Sequence, residues 1–234
     1  FIRFFSADAI IITNVSHDIK TPLTSIINYV DLLKQENIQN SKAEEYIEIL
    51  DNKSQRLKKL TEDLVEASKI STGNISLKLE KINVVELIKQ ATGEFEDKFK
   101  KHKLEVIVNS ADDEINIMAD SRYMYRIIEN LYSNISKYAL ENSRVYIDVK
   151  RNGKKAFSDV QNLSIEIKNI SKDRLNISAE ELMQRFVRGD KSRTTEGSGL
   201  GISIAQNLTE LQNGKFELTL DGDLFKVKME FVEV

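Results

Sequence analysis

The first 72 residues contain no glycine and a single proline, Pro22, although the 234-residue chain carries nine glycines. Residues that break helices are almost absent there, so this stretch favours long helices. The apolar positions agree. Val15, Ile19, Leu23, Ile26, Ile27, Val30 and Leu33 recur at spacings of three and four, which predicts a helix from residue 1 to about 36. The polar run at 35–41 reads as a turn. A second helix is predicted over 42–71, where Leu50, Leu57 and Leu64 fall seven apart, with Leu60 and Ala67 on the neighbouring stripe. Gly73 then offers a left-handed cap. Two antiparallel helices cover only part of such wide apolar stripes. Pairing two hairpins into a four-helix bundle covers the rest, so a homodimer is expected.

From about residue 75 the pattern changes to short alternating segments. Strands are predicted over 75–79, 104–109, 115–118, 144–150, 163–168, 215–220 and 225–232, with helices near 84–101, 121–140 and 199–212. Asp221-Gly222 marks a hairpin tip between the last two strands. Strands mixed with helices imply an α+β sandwich. The expected organisation is a helical hairpin at 1–71, a linker at 72–75 and a second domain at 76–234.

Composition removes several functions. The chain has no cysteine, which excludes disulfides and thiolate metal sites and suits a reducing cytoplasmic setting. A net charge of −3 gives no basic field, so no nucleic-acid partner is expected. No apolar run approaches the roughly 18 residues of a membrane span, so no membrane contact is expected within this chain. The chain starts at Phe1 rather than Met, with Ile2, Phe4 and Phe5 close behind, and reads as a piece whose upstream portion is missing. No A-x-A-like cleavage site follows, which argues against a secretory signal.

Chemistry enters the first helix at Ser16-His17-Asp18-Ile19-Lys20-Thr21-Pro22-Leu23-Thr24. His17 and Thr21 are i,i+4 neighbours on one face. A carboxylate at Asp18 can bond one imidazole nitrogen, raise the nucleophilicity of the other and take up a proton. Pro22 should bend the helix and free the carbonyl of Asp18. A single helical histidine is ordinarily surface decoration and a proline commonly ends a helix, yet the apolar pattern runs straight past Pro22. His102, inside Lys100-Lys101-His102-Lys103, reads as a solvated helix end.

This string resembles the H box of the sensor histidine kinases of bacterial two-component systems, and the resemblance extends over nearly all of the chain. It implies that His17 is phosphorylated, that Asp18 assists proton transfer, and that Thr21 helps remove phosphate from a partner response regulator. Lys20 is read as a solvated flank near the regulator surface.

The second domain carries the matching parts. Along the helix at 121–140, Asn130, Asn134, Lys137 and Tyr138 form a stripe beside the core face of Ile127, Ile128, Leu131 and Ile135. Asparagine oxygens are hard ligands for Mg²⁺, a lysine supplies a point charge for phosphate, and a tyrosine ring can lie against adenine. Solvated edge residues are the plainer alternative. The stripe is similar to the family's N box, on an ATPase fold shared with gyrase, the chaperone Hsp-ninety and the mismatch-repair protein MutL. That resemblance implies ATP, with Mg²⁺ on Asn134 and Asn130, and with Asn130 and Lys137 near phosphate. Asp120 is the expected N-cap.

Gly197-Ser198-Gly199-Leu200-Gly201 opens an amphipathic helix with Ile204, Leu208 and Leu211 as its core. Glycines let a backbone approach phosphate, and the helix start is electropositive. The run resembles the family's second glycine box. Upstream, Phe186 resembles the hinge of an ATP lid or is a plain core residue. Arg188, Lys191 and Arg193 are lid cations, one of which is placed to reach the γ-phosphate. The sequence does not say which.

One expected element is missing. The family pattern Asp-x-Gly-x-Gly should follow the strand at 163–168, where this chain has Asn169-Ile170-Ser171-Lys172-Asp173. Asn169 keeps an acceptor for the adenine amino group, neutral and weaker than a carboxylate. With both glycines absent that loop must take another shape, and nothing requires Asp173 to substitute.

The expected function is ATP-dependent autophosphorylation of His17 and transfer to a response-regulator aspartate, with regulator phosphatase activity. The resemblance further implies a cytoplasmic piece of a protein anchored in the inner or plasma membrane. A dimeric scaffold without catalysis is the alternative that the missing glycine box suggests. A serine kinase of the anti-sigma type would share the ATPase fold but has no reason to carry the hairpin.

Overall fold

In the first unit, which takes in the chain up to Ile75 together with Glu196–Leu200, the hairpin's second helix follows a seven-residue rhythm that its leucines do not set. A computed structural model describes residues 23–36, 41–152, 162–183 and 199–234. His17, Asp18, Thr21, Pro22, Phe186, Arg188, Lys191, Arg193, Gly197 and Ser198 lie outside the described residues. Helix α1 covers 23–35 and α2 covers Ser41–Ser71. Lys34 of α1 forms an ion pair with Asp51 of α2. The buried stripe of α2 runs Ile47, Ser54, Thr61 and Ser68, seven apart and largely polar. Leu50 and Leu57 of the predicted seam are 49% and 45% exposed. In one chain the part of the stripe at Leu50 and Leu57 is therefore open, while Leu64 is half-buried, as expected if something outside the chain covers the exposed part.

The end of α2 is a Schellman cap. Asn74 N–H donates to Lys69 O at 3.1 Å, and Gly73 N–H to Ile70 O at 3.2 Å. Gly73 has φ +69°, where a side chain would be strained.

The second unit begins at Ser76. The strand predicted over 75–79 does not form. Lys78 N–H donates to Asp120 Oδ2 at 2.8 Å, and that contact replaces a ladder bond. Strand β1, Glu80–Asn83, starts one residue past that range and pairs antiparallel with β3, Asn116–Ala119. The helix predicted near 84–101 is two, α3 at Val84–Glu94 and α4 at Glu96–Lys101, with the break at Phe95. The break turns Phe95 inward, where its ring lies 5.8 Å from Phe99 and 5.6 Å, edge-on, from Tyr132.

A five-stranded sheet completes the unit: β2 (Glu105–Ser110), β4 (Arg144–Asn152), β5 (Asn162–Ile170), β7 (Leu224–Val232) and β6 (Lys215–Asp221), in that spatial order. The β2–β4 pair is parallel and the others are antiparallel. Val145, Ile147, Val149, Leu163, Ile165, Ile167, Val227 and Met229 bury one face of the sheet. The alternating positions carry charge, with pairs such as Lys168–Asp148 at 2.5 Å and Lys226–Glu166 at 3.3 Å. Helices α5 (Ser121–Tyr138) and α7 (Gly201–Leu211) lie side by side. A short helix not read from the sequence, α6, spans Ala179–Met183. Its signal was present. Ser178 Oγ accepts from Glu181 N–H, and Ser178 N–H donates to Glu181 Oε2, both at 3.1 Å, a capping box.

Candidate nucleotide site

Helix α5 sets the site, and its start is fixed by Asp120. This residue is only 1% exposed and has extended backbone, as an N-cap requires. Its Oδ1 accepts from Arg122 N–H and Nε, both at 3.1 Å, while Oδ2 accepts from Arg122 Nη2 at 2.8 Å and from Lys78 N–H. The Arg122 guanidinium is the main cause that holds the carboxyl at a pKa of about 2. Behind it, Met124, Ile127, Ile128, Leu131, Tyr132 and Ile135 anchor the helix in the core.

The candidate stripe runs along the edge of that core face. Asn130 is 7% exposed, while Asn134, Lys137 and Tyr138 are half-buried. Gly201, at the start of α7, lies against Asn130: a Cβ there would be 3.6 Å from Asn130 Oδ1. The first turn of α7 thus lies at contact distance from the stripe. Gly199 adopts φ +73° and Leu200 is buried. Ile204, Ala205 and Leu208 hold α7 in the core, but Leu211, expected there, is only half-buried.

Asn169 lies near the end of β5 and is 5% exposed. Its Nδ2 donates to Ile170 O at 3.2 Å, which leaves Oδ1 buried without a hydrogen-bond partner. Among the described residues one other buried side-chain atom lacks a partner, Nδ2 of Asn130. An unmet buried donor or acceptor costs roughly 1–3 kcal/mol, so each orphan marks a place where a ligand atom gains more than ordinary stabilisation. One orphan accepts and the other donates. The donor set suits a ligand with an amino group at one end and anionic oxygens at the other.

Two residues that fix the ends of α5 escape sequence reasoning. Lys172 bonds the backbone of Lys137 and Tyr138 at the end of α5. Gln212 is buried at the end of α7 and accepts from Asp120 N–H. Their partners are 35 and 92 positions away, so no local pattern could reveal them. Asp173 is exposed.

Comparison with known proteins covers both units. Residues 9–73 match the model of the His Kinase A (phospho-acceptor) domain. Residues 119–231 match the histidine kinase-, DNA gyrase B- and HSP90-like ATPase model. The chain is 29% identical over 211 residues to the sensor protein VanS of Enterococcus faecium, covering 88% of this chain and 52% of that protein. It is 27% identical over 206 residues to the sensor histidine kinase WalK of Bacillus subtilis, covering 87% and 33%. The chain thus spans about half or less of these relatives' lengths. The crystal structure of full-length ShkA in complex with AMPPNP shares the fold, with a TM-score of 0.76 at 17% identity over 95% of this chain and 46% of that one. The histidine kinase ThkA in complex with the response regulator TrrA gives a TM-score of 0.60 at 20% identity, covering 94% and 60%. Among the described residues no helix is long and apolar enough to cross a membrane.

Proposed function

This chain belongs to the sensor histidine kinases of two-component systems, and from that premise we propose that it uses ATP to phosphorylate its own His17 and then passes the phosphoryl group to an aspartate of a response regulator. The observation that supports this reading is the pair of orphaned atoms, Asn130 Nδ2 and Asn169 Oδ1, on two residues whose types already suited a nucleotide. Asn169 accepts from the amino group of adenine. Tyr138 lies against the base. Asn130 and Lys137 meet phosphate oxygens, and the backbone at Gly197, Ser198, Gly199, Leu200 and Gly201 follows the phosphate chain into the start of α7. Arg188 or Arg193 reaches the γ-phosphate.

The residues present fit a magnesium ion as well. Asn134 and Asn130 would hold it through side-chain oxygens, that of Asn130 facing Gly201 at the start of α7. When bound, Mg²⁺ neutralises charge on the phosphates. The remaining work is positioning. A ring nitrogen of His17 attacks the γ-phosphorus as the bond to the β,γ-bridging oxygen breaks, and ADP leaves. Asp18 accepts the proton from the other ring nitrogen. Thr21 orients water when the regulator is dephosphorylated. The open leucine stripe of α2 pairs with a second copy. The full-length protein is anchored in a membrane, with this portion on the cytoplasmic side.

The test is incubation of the purified chain with γ-labelled ATP and Mg²⁺. Label that is acid-labile, alkali-stable and lost in His17→Gln is expected. An unlabelled wild-type chain that still binds a regulator would instead make it a scaffold.

A further inference from the structure

The segment that replaces the first glycine box is stitched down on both sides. Ala139 and Ser171 form an antiparallel bridge, closed by Leu140 N–H to Ile170 O and Lys172 N–H to Tyr138 O, each 2.8 Å. From the other side, Ser171 N–H donates to Asp223 O at 2.7 Å, in the turn between β6 and β7. Glycines at 171 and 173 would leave this backbone freer.

Lys172 completes the attachment. Its Nζ donates to Lys137 O at 2.5 Å, and the same ammonium is 5.9 Å from the centroid of the Tyr138 ring. The last carbonyls of a helix have no partner within it, and its C-terminus attracts cations. One residue therefore satisfies two carbonyls of the last turn of α5 and sets a cation against the ring of Tyr138. Three positions upstream, Asn169 presents its orphaned oxygen.

We propose that Lys172 is a positioning residue for the base end of the nucleotide site, locking the last turn of α5 and the ring of Tyr138 against the end of β5. The proposal rests on the nucleotide reading above. In this chain a rigid clasp takes the place of a glycine-rich loop, and Lys172 acts through Tyr138 and Asn169 without touching the nucleotide.

The experiment compares the whole chain with Lys172→Met, which keeps the stem and removes charge and donor, and with Lys172→Arg, which keeps both. Calorimetry with ATP and with inorganic tripolyphosphate separates base from phosphate binding. Lys172→Met should weaken ATP by about fivefold, the scale of one lost surface cation–ring contact and hydrogen bond, and leave tripolyphosphate unchanged. Lys172→Arg should recover ATP affinity, and labelling of His17 at saturating ATP should stay within about twofold of wild type. Unchanged ATP affinity in Lys172→Met would overturn the proposal alone. So would equal losses for ATP and tripolyphosphate together with a lower melting temperature. A wild-type chain that binds neither ligand would remove the nucleotide reading and this proposal with it.

Discussion

The backbone N–H of Asp120 donates to Oε1 of Gln212 at 2.8 Å, joining the start of α5 to the end of α7 across 92 positions. Gln212 Nε2 donates in turn to Leu208 O at 2.9 Å. The helix that carries the Asn130 stripe and the helix that begins at Gly201 are thus tied at the ends away from the Asn169 corner. The Asp120 side chain is held separately, with Oδ1 and Oδ2 both accepting from Arg122.

Asp120 should therefore make acid stability measurable. Its folded pKa of about 2 lies below the ordinary 3.8, so its contribution is full above pH 4 and is lost as pH falls from about 4 to 2. The contribution is about 2 kcal/mol, most of it from partners around a carboxylate that is itself buried. Asp120→Asn should lower the unfolding free energy at pH 7 by roughly 1–2 kcal/mol and flatten this limb, as read by urea unfolding at several pH values. Parallel pH profiles for variant and wild type would contradict the assignment.

At Asn169 the two roles of a side chain separate. Replacing it with Leu removes a buried orphan acceptor, so stability without nucleotide should hold or rise. ATP affinity should fall by about tenfold or more, the effect of one lost hydrogen bond in a dry site. Restoring a carboxylate with Asn169→Asp should strengthen ATP binding. Calorimetry and thermal unfolding read both quantities. A loss of stability and affinity together would mark Asn169 as structural.

Gly214 admits no side chain. A Cβ there would lie 2.6 Å from Phe231 Cε1 and 2.8 Å from Thr209 Cγ2. Both neighbours are buried, so they cannot swing away. Gly214→Ala should cost about 2 kcal/mol or more, seen as a lower urea midpoint at unchanged slope.

The open stripe of α2 predicts assembly. Leu50→Glu and Leu57→Glu alter residues nearly half exposed in one chain, so each protomer should still fold. Sedimentation should shift from dimer to monomer. A wild-type chain that sediments as a monomer, or a double variant that remains dimeric, would remove the bundle from the proposed function.

Much of the candidate site on α5 is legible in the sequence. The spacing of Asn130, Asn134, Lys137 and Tyr138 follows from helix geometry alone, and Asp120 as N-cap from residue type and position. The missing glycines at 171 and 173 were also plain. Other features were not. The strand expected at 75–79 failed because its donor at Lys78 goes to Asp120, 42 positions away. The helix expected near 84–101 broke at Phe95 because that ring packs with Tyr132.

By itself, the sequence determined where along α5 the candidate residues fall and how that helix begins. It did so because helical periodicity, capping and glycine freedom act between residues a few positions apart. Only the tertiary structure decided that Asn169 turns its oxygen inward unpartnered, that Lys172 closes the last turn of α5, and that Gln212 ties two helices. Those outcomes depend on which distant groups meet in the packed core. There an unmet donor or acceptor is costly, and close packing leaves each side chain few places to go.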